Sequence, residues 1–392
     1  MKQRIYMDNS ATSFPKPDTV TAAMVDFAEN CGASAGRGAY QEARDCGQIL
    51  QTCRRRIAEL INAETPEQIL FTLNCSEALN IVIRGLLNTA RAGTHAIATA
   101  MEHNSVLRPF NALAGQMGLV PEFVSCDGQS GLVDPEDIRR AIRPETALIA
   151  CVHVSNVSGT KQPIEQVAAV AREAQVPSLI DAAQSAGHVP IDVQALGADF
   201  VAFPGHKGLL GPLGTGVLYV GPGWAEKLAT MKEGGTGSIS EQAVQPEFLP
   251  DKFEIGSHNA IGIAGLSEGV AWLLEEGVGN IRRHDEQLCH EFMSRTEDVA
   301  GLSVYGPREV RHRCGVFSVR VEGMDPTELA NTLEAEFEVL TRPGIHCAPL
   351  AHETIGTHPV GTTRLSFGPF TTIQEVDIAA GALRDIASRA MV

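Results

Sequence analysis

Lys207 stands in the stretch Asp199-Phe-Val-Ala-Phe-Pro-Gly-His-Lys-Gly-Leu-Leu-Gly211. The apolar run Phe200–Phe203 predicts a buried strand that stops at Pro204-Gly205, so His206-Lys207 falls just beyond a strand end. Open α/β sheets form their ligand crevices at such carboxyl ends. A lysine desolvated there loses its charge and becomes an amine nucleophile that condenses with a carbonyl. The glycines around it, Gly205, Gly208, Gly211, Gly214 and Gly216, favour close approach of backbone to a ligand. No Gly-Lys-Ser/Thr follows four spacer residues, which excludes a Walker A loop.

Other residues sit at comparable strand ends. Asp181 closes Ser178-Leu-Ile-Asp181, one crossover before Lys207; its alternative use is a helix N-cap. In Asn74-Cys-Ser-Glu-Ala-Leu-Asn80 a polar turn opens a helix, and free N–H groups with the macrodipole attract phosphate there. Ser76 can serve that anion or cap the helix, and His206 can add a donor. His103, in Glu102-His103-Asn104, follows the strand His95–Thr99 and can stack on a planar ligand and shuttle protons, or be a satisfied histidine at a helix start. Asn156 leaves the strand that contains His153. Arg364, flanked by apolar residues, suits bidentate capture of a carboxylate or an internal salt bridge. A lysine nucleophile, an acid for a ring nitrogen, phosphate donors and a carboxylate clamp are the needs of pyridoxal phosphate, whose protonated pyridine is an electron sink.

Arg342-Pro-Gly-Ile-His-Cys-Ala-Pro-Leu-Ala-His352 places Cys347 in a loop between prolines. Its neighbours His346 and Arg342 can favour its thiolate, although most free cysteines only pack. Cys347, His352 and His358 match no common zinc spacing, so no metal site is expected.

The elements that must position these residues read as follows. Helical periodicity covers 18–30 and 41–61, separated by the loop Ser34-Ala-Gly-Arg-Gly38. Strands are predicted at 69–71, 95–99, 122–125, 147–153, 178–181, 200–203 and 216–220, with helices at 76–86, 106–117, 135–142 and 164–174 among them. This alternation implies an α/β class with a mostly parallel sheet covered on both faces. After Ser257-His-Asn259 come two long helices, then strands at 302–305, 316–321, 339–341 and 363–366. Helices open at Asp325-Pro-Thr-Glu328 and at the capping box Thr372-Ile-Gln-Glu375. A large domain over 15–259 is therefore expected, with a smaller α+β domain over 260–392 on which the arm 1–14 docks.

The 392 residues carry a formal charge of −16, with 44% hydrophobic and 20% charged residues. That composition suits a soluble enzyme and argues against nucleic-acid or anionic-membrane partners. No apolar run spans a membrane and no signal pattern opens the chain. Nine scattered cysteines without a C-x-x-C pair fit a reducing cytoplasm.

Tyr6-Met-Asp-Asn-Ser-Ala-Thr12, Glu102-His-Asn104, His153-Val-Ser-Asn-Val-Ser-Gly-Thr160, Asp181-Ala-Ala-Gln184, Gly205-His-Lys207, Arg342-Pro-Gly-Ile-His-Cys347 and Arg364 together resemble the class V aminotransferase family of fold-type I pyridoxal-phosphate enzymes. Within it the chain looks like cysteine desulfurases and selenocysteine lyases. The resemblance spans nearly the whole chain. It implies that Lys207 holds the cofactor covalently and moves protons, that Asp181 pairs with the pyridine nitrogen, and that Gln184 donates to the ring oxygen. It also implies that His103 stacks on the ring, that Cys75, Ser76 and His206 occupy phosphate-binding positions, and that Asn156 supports cofactor and substrate. Arg364 is placed on the substrate carboxylate, and Arg342 counts with Asn156 among the substrate-binding residues. Ser257 matches a residue reaching the phosphate of a second subunit, which implies a homodimer with shared sites. Cys347 matches the thiol that takes sulfur from L-cysteine as a persulfide and releases alanine, with a short loop resembling the branch that hands sulfur to an acceptor protein. Pro204 stands where serine is common, Cys75 where threonine is common, and Tyr40 where histidine is expected. The alternatives are another reaction of the same class (selenocysteine cleavage, transamination or β-elimination) or a non-catalytic sulfur carrier on the same fold.

Overall fold

A computed structural model of the chain describes residues 4–36, 38–88 and 91–391. Arg37, the arginine of the Ser34–Gly38 loop, lies outside the described residues. In chain order the elements are β1 (Ile5–Tyr6), α1 (Asp18–Asp26), α2 (Gln41–Leu60), β2 (Ile69–Thr72), α3 (Cys75–Leu87), β3 (His95–Thr99), α4 (Asn104–Met117), β4 (Val120–Val124) and α5 (Pro135–Ala141). They continue with β5 (Thr146–Val152), α6 (Ile164–Glu173), β6 (Ser178–Asp181), α7 (Val193–Leu196), β7 (Phe200–Pro204), β8 (Gly216–Val220), α8 (Ala260–Glu276) and α9 (Val278–Thr296). The last are β9 (Leu302–Val304), β10 (Val316–Val321), α10 (Pro326–Phe337), β11 (Val339–Leu340), β12 (Arg342–Gly344), α11 (Pro349–Thr354), β13 (Thr362–Ser366) and α12 (Ile373–Ala390).

Seven strands form one sheet in the order β2-β8-β7-β6-β5-β3-β4. The β4-β3-β5-β6-β7 run is parallel, and β8 is antiparallel to both β7 and β2. Successive residues of a strand face opposite sides. Ile97, Ile149, Ile180, Val201 and Val217 enter one core with α2, α6 and α8, while Ala96, Leu148, Leu179, Phe200 and Leu218 enter the other with α3 and α4. Both faces are apolar, which is why these strands read as continuous hydrophobic runs rather than as alternation.

A second, antiparallel sheet runs β12-β13-β10-β9. Phe317, Val319 and Leu365 from it pack with Leu288, Phe292, Val376 and Leu383 of α9 and α12. The arm docks here, with β1 pairing parallel to β11.

Helix α8 departs from the expected boundary at residue 260. Its Ile263, Ala264, Leu266, Val270 and Leu273 belong to the large core, against α1 and α2. A helix apolar around most of its circumference is a buried one, and α8 has just such a sequence. We place the division near Gly277 instead, since Ile281 still reaches the large core while Leu288 and Phe292 of α9 join the smaller one.

One buried ion pair ties the outer helix layer to the sheet. Arg54 of α2 donates to both oxygens of Glu254, at 2.7 and 2.9 Å, and the same carboxylate accepts the Phe71 N–H of β2 at 2.6 Å. Breaking a buried pair by removing one partner costs about 3–5 kcal/mol, because the other charge is stranded. Glu254→Ala is expected to lower the urea midpoint accordingly, with little change in slope. A midpoint matching the unaltered protein would show that water reaches Arg54.

Candidate active site

The carboxyl ends of β2, β3, β5, β6 and β7 face one cavity lined by Cys75, Ser76, His103, Asn156, Asp181, Gln184, His206 and Lys207. Parallel strand direction is sufficient reason for this convergence, because Asp181 ends its strand and each of the others follows its own by a few positions.

Asp181 ends β6 and Lys207 lies just beyond the adjacent β7, and backbone contact sets the spacing between the loops that follow. A Cβ on Gly208 would stand 2.1 Å from the Ala186 carbonyl, and one on Gly187 2.2 Å from the Gly208 carbonyl. The glycines around Lys207 therefore serve contact between chain segments rather than approach to a ligand. Gly205, Gly211 and Gly216 likewise abut Thr215, Leu266 and Asn74. Burial lowers the Lys207 pKa, with Cys75 and Asp181 opposing and Arg364 and Arg342 reinforcing the effect. Burial raises the Asp181 pKa against the Ala183 N–H, Lys207 and the Cys75 thiol. Its Oδ1 takes the Ala183 N–H at 2.9 Å and the thiol at 3.6 Å.

Asn74, not Ser76, caps α3: its Oδ1 accepts the Glu77 N–H at 3.0 Å. The Ser76 hydroxyl is thereby released to meet Ser105 Oγ at 2.7 Å. His103 does cap its helix. Its Nδ1 accepts the Ser105 N–H at 3.1 Å, so the ring's proton sits on Nε2. Burial, then Lys207, Arg342, Arg108 and Arg364, push its pKa down to about 4. His206 is likewise lowered to about 4, and its Nδ1 is buried without a partner. Gln184 Nε2 donates to the Ser10 carbonyl at 3.0 Å, and Asn156 Oδ1 is buried and unpartnered.

The smaller unit brings in two arginines. Arg342 on β12 and Arg364 on β13 are register partners on antiparallel strands, so two like charges face the same side. Arg364 is 1% exposed and donates to Asp8 at 2.6 Å and to the Asn156 carbonyl at 3.1 Å, while its Nε has no partner. Arg364 thus forms an internal salt bridge, with Asp8 as its acid. Two guanidinium groups against one carboxylate leave positive charge for an anion.

Cys347 is exposed and joined to this group through backbone: its carbonyl accepts the Asn104 N–H at 2.8 Å. His346 faces away from it, toward Arg342 and His352. Cys347 lies in a short turn, as expected, because β12 ends at Gly344 and α11 starts at Pro349. Among the described residues no three His, Cys, Asp or Glu side chains gather as a metal site, and no helix is long and apolar enough to cross a membrane. Ser257 lines a separate recess with Thr72 and Gly214.

Asp8 and Glu102 escaped sequence reasoning as individual groups, although both lie in stretches singled out there. Glu102 is wholly buried, bonded to Thr99 Oγ1 at 2.6 Å and the Val152 N–H at 2.8 Å, and burial pushes its carboxyl up to about 8. Nothing in the spacing separates it from an exposed acid beside His103.

These shifts have a pH consequence. Seven histidines (His95, His103, His153, His188, His206, His346 and His352) have folded pKa values below the ordinary one. Each contributes stability present above about pH 6.5 and lost as pH falls toward its folded value. Glu102, Asp181 and Asp285 are raised and act in the opposite sense, but they are fewer. Urea midpoints are expected to fall between pH 6.5 and 4; a flat or rising profile on acidification would mean the imidazoles are solvated.

The chain matches the family model "Aminotransferase class-V" over residues 5–378. It is 34% identical over 390 residues to a probable cysteine desulfurase of Methanothermobacter thermautotrophicus, covering 99% of this chain and 96% of that one. It is 31% identical over 388 residues to a cysteine desulfurase of Escherichia coli O157:H7, covering 97% and 93%. Its fold superimposes with a TM-score of 0.93 on the apo cysteine desulfurase of Thermococcus onnurineus NA1, at 32% identity over 98% of this chain and 95% of that one. With the parallel sheet, the strand-end lysine and acid, and these likenesses in hand, the chain belongs to the class V aminotransferase family, on the fold-type I architecture of pyridoxal-phosphate enzymes.

Proposed function

We propose that this enzyme is a cysteine desulfurase that uses pyridoxal phosphate to take sulfur from L-cysteine onto Cys347, releasing alanine. One arrangement carries the reading: the buried Asp181 and Lys207 in one cavity, with the exposed Cys347 held through its carbonyl by the N–H of Asn104, the residue between the cavity-lining His103 and Ser105. Of the nine cysteines, six are buried and two half-buried.

The residues fit the cofactor. Among the described residues the buried Asp181 carboxyl has no short cationic partner, which a protonated ring nitrogen would supply. His206 Nδ1 and Asn156 Oδ1 are buried polar atoms in want of partners, and the first turn of α3 with Ser76 offers donors to a phosphate. When bound, pyridoxal phosphate supplies an electron sink for the bonds broken at the substrate. Arg364 and Arg342 orient the substrate carboxylate. Lys207, its ammonium destabilised by burial, takes and returns the proton at the substrate α-carbon. The His103 ring, neutral at pH 7, presents Nε2–H into the cavity. Cys347 thiolate attacks the substrate sulfur; an S–S bond forms, the C–S bond breaks, and the carbon gains a proton to become alanine.

Cys347 is held between β12 and α11, so an acceptor protein has to come to the persulfide. Ser257 lies outside the cavity, which favours a role for it at the phosphate of a second copy in a homodimer. A reducing cytoplasm suits the unpaired cysteines.

Lys207→Ala is expected to abolish the visible absorbance of the loaded protein. Cys347→Ala is expected to keep that absorbance and lose persulfide, assayed by alanine release and by mass spectrometry of the cysteine peptide. Sulfur release from Cys347→Ala at the unaltered rate would remove the thiol from the mechanism and favour β-elimination.

A further inference from the structure

His346 (φ 52°) and Cys347 (φ 58°) both lie in the left-handed region, and among the described residues no other two consecutive non-glycine residues do. L-residues enter that region singly, at a steric cost. Such strain persists where the surroundings over-determine it, and it gathers at functional sites.

A line of three hydrogen bonds stands behind this dipeptide. His346 Nε2 lies 2.9 Å from the Arg342 carbonyl, His346 Nδ1 lies 3.3 Å from His352 Nε2, and His352 Nδ1 lies 2.7 Å from Thr357 Oγ1. All three side chains are buried. The tautomers follow from the one partner that can only accept. The Arg342 carbonyl requires the His346 proton on Nε2, which leaves Nδ1 a lone pair. His352 must therefore donate from Nε2, and Thr357, whose hydroxyl also lies 3.4 Å from the His352 carbonyl, donates at the shorter distance to His352 Nδ1. Burial keeps both rings neutral, with pKa values near 3 for His346 and near 4 for His352. On the other side, the large unit holds both carbonyls of the dipeptide. The His346 carbonyl accepts from Asn156 Nδ2 at 2.6 Å, and the Cys347 carbonyl from the Asn104 N–H at 2.8 Å.

We propose that His352, acting through His346 and fixed by Thr357, is a positioning residue that holds Cys347 in its left-handed pose and so aims the thiol at the bound substrate. This inference rests on reading Cys347 as the sulfur acceptor. His352 touches neither substrate nor cofactor in this role. Its contribution is the Nε2–H donated to His346, so replacing it moves the thiol and leaves the cavity intact.

The test compares His352→Phe, His352→Gln, Thr357→Val and Cys347→Ala holoenzymes. It reads kcat and KM for alanine release, the cofactor absorbance, and the rate at which iodoacetamide alkylates the Cys347 peptide. His352→Phe fills the space without a donor; a misplacement of about 1 Å costs up to about 100-fold, so a kcat loss of about ten-fold or more is expected. KM and absorbance are expected to hold, and the alkylation rate to change. His352→Gln, whose Nε2 can still donate to His346, is expected to recover most of kcat, and Thr357→Val to fall between. Folded His352→Phe with unaltered kcat and alkylation would overturn the proposal, as would equal losses in the Phe and Gln variants. If His352→Phe does not fold, unaltered kcat in Thr357→Val overturns it. Cys347→Ala separates the two levels. Full alanine release there removes the underlying reading, whereas an inactive Cys347→Ala beside an unimpaired His352→Phe removes the positioning role alone.

Discussion

Two groups of opposite charge share one desolvated cavity, and neither is satisfied by the other alone. Burial drives the Asp181 carboxyl and the Lys207 amine toward their neutral forms despite their mutual attraction. A site of this kind is costly to fold unless a ligand completes it. An aldehyde for the amine and a basic ring nitrogen for the acid meet both needs at once. The geometry that keeps the two groups apart is equally demanding. Adjacent parallel strands place them at one edge, and side-chain-free backbone at Gly187 and Gly208 lets their loops touch. A Cβ at either position would lie 2.1–2.2 Å from a facing carbonyl, so any larger residue would force the loops to shift.

The smaller unit completes the site with charge and with sulfur. Its antiparallel sheet sets Arg342 opposite Arg364, an arrangement disfavoured without an anion nearby. Asp8, carried in on the docked arm, offsets part of that charge. The same strand pair leads into Cys347, so the two arginines and the thiol share one frame. Backbone bonds from Asn104 and an amide from Asn156 fasten that frame to the large unit.

Most of the architecture was legible in the sequence because its signals are local and repeated. Short, largely apolar runs marked the strands, and Asp134, Asp325 and the Thr372–Glu375 box marked helix starts that the structure keeps. The cavity residues were legible for a related reason, since a residue at a strand end or within four positions past it has little choice of where to be. What stayed hidden depends on distant partners. Helix α8 reads the same whichever unit it packs against, and contact with α1 and α2 decides. Asp8 and Arg364 lie 356 residues apart, so their pairing leaves no trace in spacing. The chain His346–His352–Thr357 was equally invisible. Only the left-handed turn at His346-Cys347 brings those imidazoles together, and a proline-flanked stretch does not announce it.

The central claim is that Lys207 is the covalent seat of the cofactor. Borohydride reduction of protein loaded with pyridoxal phosphate, followed by peptide mass mapping, tests it most directly. The account requires one phosphopyridoxyl adduct, on the peptide containing Lys207. An adduct spread over surface lysines, or none at position 207, would contradict it.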